Sequence, residues 1–185
     1  MLIRKTMIEL GRPELEPHRQ SKKLPVVVVL ENLRSGLNIG SIFRTADAFH
    51  IQSICLTGIS AVPPHREILK TALDATLSVD WMYQPDIYSG LTEYKNHGFK
   101  IVAVEQTQDS IPLSDFKFDI NVPVVLVFGN EVSGVSDTVL SMADIAIEIP
   151  QSGIKHSLNV AVCAGIVMWH AYDQLNRQSH FIHTA

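Results

Sequence analysis

Two apolar runs constrain this chain more than any other feature: VVVVL at residues 26–30 and VPVVLVF at 122–128. Neither alternates with polar residues, so a strand built from either is covered on both faces, as parallel strands are when helices lie above and below the sheet. The rest of the chain keeps the same rhythm. A helical stripe (Ile39, Ile42, Phe43, Ala46, Phe49) follows the first run, then a strand at ICLTGI, and then a helix at PPHREILKTAL opened by its prolines, which a first helical turn tolerates. A short strand at 79–83, a helix over 86–97 and the strand KIVAVEQ come next. VPVVLVF leads to a helix starting near Ser136, the strand AIEIP and a long last helix over 157–176. The pattern predicts an α/β fold, a parallel sheet flanked by helices.

At 185 residues and 46% apolar content, one domain with a full core is expected. We divide the chain into a basic extension (1–24), a body (25–178) and a tail (179–185). The extension carries Arg4, Lys5, Arg12, Arg19, Lys22 and Lys23 against Glu9, Glu14 and Glu16, whereas the whole chain has a net charge of −4. A basic arm on an acidic body steers a polyanion toward it; a frayed, solvated terminus has the same composition. Cys55 and Cys163 sit in apolar runs and read as packed, reduced thiols. The longest apolar stretch, VAVCAGIVMW, is shorter than the ~20 residues that cross a bilayer. A cytoplasmic protein with no membrane partner is expected.

Ligands of an open parallel sheet bind at the carboxyl ends of its strands. Polar, glycine-bearing segments stand there: ENLRSGLNIG, EQTQDS, GNEVSG and QSGIKHSLN. They are not the common nucleotide motifs. Val135 and Ser136 follow Gly134 where a phosphate-cradling loop needs Lys and then Ser or Thr, and no GxGxxG, GxSxG or HExxH is present. His180 and His183 are weak ligand candidates at the chain's end, and no metal is expected.

The segments NIGSIFRTADAF, VFGNEVSGVSDTVLSMADIAIEIP and GIKHSLNVAV, in that order, resemble the three motifs of the SpoU (TrmH-like) branch of the SPOUT RNA ribose 2'-O-methyltransferases. The resemblance spans about residues 25–169. It implies a C-terminal deep trefoil knot, S-adenosyl-L-methionine as cofactor, tRNA or rRNA as substrate and a homodimer in which Arg44 of one chain lies near the partner's cofactor. The knot runs against the rule that chains do not thread their own loops.

By resemblance Arg44 is the catalytic arginine. A guanidinium stays protonated in proteins, so we expect it to bind the phosphate beside the target ribose and to help that phosphate, or a transiently deprotonated guanidine, take the proton. An ion pair with Asp47 or Glu31 is its plain structural alternative. Asn38 is expected to hold Arg44 or the ribose, or to cap the helix that carries Arg44. Glu131 is expected to orient Arg44 or RNA. Ser157 and Asn159 match the motif's SLN; Ser157 is also a cap candidate for the last helix, and Asn159 reads as an amide inside that apolar helix, costly to bury without partners. The resemblance assigns cofactor contacts to Glu105, Gln106, Thr107, Gly129, Asn130, Ile149, Gln151 and Leu158. His50 and Asp74 stand where the family commonly has glycine, which puts those turns in question. Gln151 replaces a frequent methionine. The alternative functions are a non-catalytic RNA-binding or assembly module, marked by loss of Arg44, Glu131 or SLN, and a different nucleotide-binding α/β enzyme.

Overall fold

The computed structural model describes residues 3–6, 9, 11, 14–155 and 157–183. Arg12 of the basic extension, the side chains from residue 180 onward and residues 184–185 lie outside the described residues. A short helix α1 (Leu15–Gln20) precedes β1 (Leu24–Glu31), α2 (Gly36–Ala48) and β2 (Ile51–Thr57). Helices α3 (Arg66–Ala72) and α4 (Ala75–Ser78) lead to β3 (Asp80–Gln84), followed by α5 (Ile87–Asn96), β4 (Lys100–Val104) and a two-residue β5 (Ile111–Pro112). The last elements are β6 (Val124–Phe128), α6 (Asp137–Met142), β7 (Ile145–Glu148) and α7 (Val160–His183).

All pairings are parallel, in a seven-stranded sheet of order β3-β2-β1-β6-β4-β7-β5. The unbroken apolar runs account for the layering. Val26, Val28 and Leu30 point to the face packed by Ile39, Ile42 and Phe43 of α2 and Ala164 and Val167 of α7. Val27, Val29, Val125 and Val127 point to the opposite face, covered by Leu91 of α5 and Val139 of α6. β1 and β6, paired Leu30 to Phe128, thus form the buried centre of the sheet.

Several expected boundaries shift. Helix α3 starts after the prolines: extended His65 (φ −124°, ψ 132°) is its cap, with Nδ1 accepting from Glu67 N–H at 3.3 Å, and the cis Pro63–Pro64 pair stands outside. β2 begins at Ile51 and ends at Thr57, because Gly58 turns the chain at φ +61° against Asn32, whose Oδ1 would lie 2.1 Å from any Cβ added there. α4 and β5 are too short to carry a periodicity in sequence. His50 (φ 57°) and Asp74 (φ 68°) adopt the left-handed conformation that a glycine would take, as does Leu73 (φ 48°).

Helix α1 packs on the body through His18 Nε2, 3.2 Å from Asp47 Oδ1, and Arg19, 3.5 Å from Asp80. Later in the chain, α7 supports the segment 116–120, which pairs with no strand among the described residues. Gln174 and Gln178, one turn apart, accept from Phe118 N–H and Ile120 N–H, each at 2.9 Å, and donate to Phe116 and Phe118 carbonyls at 3.1 and 2.6 Å. Two side-chain amides thereby stand in for a neighbouring strand.

Candidate active site

The loop after β6 explains the composition GNEVSG. A Cβ on Gly129 would stand 2.0 Å from Gly134 backbone atoms, so only glycine lets the loop close on itself. Asn130 Oδ1 accepts from Val132 and Ser133 N–H, both at 2.9 Å, and Gly134 N–H returns to the Asn130 carbonyl at 3.0 Å. This Asx turn leaves Glu131 and Val132 exposed at the tip. Gly134 has φ +65°, and a side chain there would collide with Glu105 Oε2. That carboxylate accepts Val135 N–H at 2.9 Å through the same oxygen and Gln106 N–H at 2.9 Å through the other. Ser136 N–H, the next donor, goes to the buried Glu31 carboxylate at 2.9 Å.

A cavity of about 570 Å³ opens against this loop, inside the roughly 300–1,000 Å³ typical of small-molecule sites. Glu105, Gln106, Thr107, Gly129, Asn130, Ile149, Gln151 and Leu158 all line it, together with Glu131 and Ser157. Val104, Phe128, Leu140 and Ile147 supply apolar wall. Its charge is one-sided: Glu105, Glu131, Asp137 and Glu148 line it, and among the described residues no lysine or arginine does. Such a cavity suits a ligand with an apolar ring and positive charge and disfavours a polyphosphate. Cys163 also lines it, but burial, and secondarily the charge of Glu105, raise its thiol to about 11, so it is a packed thiol and not a nucleophile.

At the cavity's edge three widely separated residues form one directional hydrogen-bonded chain. Asn159 Nδ2 donates to Asn38 Oδ1 at 3.1 Å, and Asn38 Nδ2 donates to Glu131 Oε1 at 2.6 Å. The backbone fixes both amides. Ser35, not Asn38, caps α2, its Oγ accepting Asn38 N–H at 3.3 Å; Asn38 therefore lies inside the first turn with its side chain released for the network. Asn159 is not inside α7 and is exposed; it caps the helix, with Oδ1 accepting from Ala161 and Val162 N–H at 2.9 and 3.3 Å. Ser157 precedes that cap and serves the helix in no such way. The expected cost of a buried Asn159 does not arise.

Arg44 stands apart. It is exposed on α2, outside the cavity lining and outside the amide network, and among the described residues it makes no hydrogen bond or ion pair. Neither anticipated partner takes it: Asp47 faces His18 and Ser78, and Glu31 holds Ser136 N–H. Asp137 and Glu148 were not anticipated in the lining; Glu148, polar in the apolar strand AIEIP, was the available signal.

A glycine-closed loop and an acidic cavity at the carboxyl ends of a parallel sheet place this chain among α/β proteins that bind a small ligand at that edge. The chain belongs to the SpoU rRNA methylase family, whose model matches residues 25–169. It is 30% identical over 171 residues to the tRNA (guanosine(18)-2'-O)-methyltransferase of Thermus thermophilus, covering 90% of this chain and 84% of that one. The enzyme of the same name from Aquifex aeolicus is 29% identical over 180 residues, covering 94% and 81%. Among solved structures, the Aquifex aeolicus TrmH/SpoU tRNA modifying enzyme superposes with a TM-score of 0.79 at 28% identity, covering 89% of this chain and 84% of that one. An AdoMet-bound rRNA methyltransferase from Sinorhizobium meliloti gives 0.77 at 26% identity, covering 85% and 60%.

Proposed function

We propose that this protein methylates a ribose 2'-hydroxyl in tRNA or rRNA with S-adenosylmethionine as donor. The observation that carries the reading is the chain Asn159–Asn38–Glu131 at the rim of an acidic cavity that no described lysine or arginine lines. The residues fit the donor: Ile149 and Leu158 offer apolar surface to adenine, and the carboxylates of the lining suit its sulfonium and ammonium charges. Bound there, the donor supplies an electrophilic methyl group on sulfur.

The protein's tasks are then to align a ribose oxygen and to relieve it of a proton. Glu131 is the charged end of the amide chain, and Asn38 fixes the direction in which its carboxylate points. Arg44, exposed and without a partner among the described residues, is available to an RNA phosphate beside the target ribose. Its place outside the cavity fits a homodimer in which it serves the partner's site. The α7 face is built for such a contact: Val162, Ile166 and Trp169 are 53%, 39% and 50% exposed. Thr45, next to Arg44, lies against Gly165 of the same helix, so a twofold contact on α7 brings Arg44 to the interface.

The basic extension steers RNA toward this surface. β6 lies between β1 and β4, and β7 between β4 and β5; the trefoil knot implied by the resemblance is part of this proposal. No described helix is long and apolar enough to cross a membrane, and cytoplasmic RNA is the substrate we assign. The test incubates the protein and labelled donor with total RNA from a strain lacking the gene, then maps the label. One 2'-O-methylated nucleotide is expected; label absent from RNA, or on a base, refutes the reading.

A further inference from the structure

Glu31 is a carboxylate only 2% exposed at the end of the central strand, and among the described residues it has no ion-pair partner. A buried carboxyl group without a counterion is costly unless hydrogen bonds satisfy its oxygens. Its hydrogen bond is to Ser136 N–H at 2.9 Å, across 105 residues of sequence. Ser136 is the point where the GNEVSG loop ends and α6 begins, the serine's own Oγ accepting Val139 N–H. On the preceding residue, Val135 N–H is held by Glu105, the residue that follows the other neighbouring strand, β4. Two consecutive backbone donors are therefore drawn to carboxylates at the carboxyl ends of β1 and β4, the strands that flank β6.

We infer that Glu31 and Glu105 form a two-sided brace that fixes where the loop returns, and that Glu31 is a positioning residue for methyl transfer. The inference rests on the methyl-transfer reading above. The brace acts through the loop. Gly129 and Gly134 close the loop into one rigid unit, so fixing its exit at Val135 and Ser136 fixes its tip, where Glu131 meets Asn38. A carboxylate and not a hydroxyl stands at position 31 because the acceptor has to bridge from strand end to loop and bind a backbone donor strongly. The two arms differ in their consequences. Glu105 lines the cavity, so disturbing it reaches the donor's pocket; Glu31 does not line it and is reached only through the loop.

The test compares Glu31→Gln and Glu31→Ala in the full-length protein. Gln keeps an acceptor oxygen for Ser136 N–H; Ala removes it. Glu31→Ala is expected to lower kcat by about 10- to 100-fold, the scale set by a small misplacement of a catalytic group. Its affinity for S-adenosylmethionine should stay within about threefold of wild type, as expected for a change that removes no ground-state contact. Glu31→Gln should recover most of kcat. In a Glu131→Gln background, adding Glu31→Ala should cost little more, because both act through one carboxylate. Amide hydrogen exchange at Ser136, which needs no activity, should rise in Glu31→Ala and stay near wild type in Glu31→Gln.

Unchanged kcat in Glu31→Ala overturns the inference. So does a parallel fall of kcat, donor affinity and heat stability, which marks a general loss of fold, and so does Ser136 exchange that ignores the substitution. If the wild-type protein methylates no RNA, the methyl-transfer reading fails, while the exchange measurement still decides the brace.

Discussion

Asn159 and Asn38, 121 residues apart, share a 3.1 Å hydrogen bond in which the cap of the last helix donates to the first turn of α2. Asn159 has two duties: its oxygen caps α7, and its amide nitrogen orients Asn38 toward Glu131.

These duties separate in Asn159→Asp. Aspartate caps as well as asparagine, but cannot donate to Asn38. Stability should change by less than about 0.5 kcal/mol, and methyl transfer should fall at least about tenfold. Asn159→Ala should lose the same activity and about 1 kcal/mol of stability with the cap. Urea unfolding and initial-rate assays measure the two effects.

Arg44→Ala removes an exposed side chain with no described partner, so melting should move by no more than about 0.5 kcal/mol. Methyl transfer should be abolished, with donor affinity by calorimetry nearly intact, because Arg44 does not line the cavity. A large loss of affinity would contradict the role assigned to it.

Trp169→Glu places a charge on the exposed α7 face beside Val162 and Ile166. Sedimentation at micromolar concentration should show a dimer for the wild-type protein and a monomer for the variant, with activity lost alongside. A monomeric wild type would contradict the twofold arrangement.

Asp74 sits at φ 68° without a side-chain cap bond. Non-glycine residues in that region carry a penalty of roughly 1–2 kcal/mol, partly offset by the extra chain freedom glycine gives the unfolded state. Asp74→Gly should therefore raise stability by about 0.5–1 kcal/mol in denaturant titration. His50→Gly should gain less, since it removes the 2.9 Å contact between His50 Nε2 and Ser21 Oγ.

Burial raises the thiols of Cys55 and Cys163 from the ordinary 9.0 to about 11. The folded chain thus keeps these protons at a pH where the unfolded chain has released them. The stability contributed by the neutral thiols is fully present below about pH 9 and is lost as pH rises toward about 11. Urea midpoints across that interval should fall for the wild type and fall less steeply for a Cys55→Ala, Cys163→Ala variant.

The long strands and helices were legible because β1 and β6 are apolar on both faces and α2 repeats its apolar stripe at helical spacing. What stayed hidden was local. Asn159 as a cap and Asn38 as an interior residue exchange the places that composition suggests, because an asparagine's role depends on which backbone N–H groups it faces, and sequence does not show that. Ser35, three positions before Asn38, is as good a capping residue by type, and only the backbone shows which of the two faces the free N–H groups. The cavity residues were reached by resemblance, and their convergence depends on strand order: β6 between β1 and β4 is what brings the loops together. Glu148 was visible as a polar residue in an apolar strand, and Glu31 as a charge at a strand end, but neither pattern says what a carboxylate will hold.

The glutamine pair on α7 has a bearing on biosynthesis. Phe118 and Ile120 obtain their acceptors from Gln174 and Gln178, almost sixty residues downstream. A nascent polypeptide leaving the ribosome must carry the 116–120 segment without these acceptors until residues 174 and 178 have been made, so this part of the native topology forms only once α7 is available.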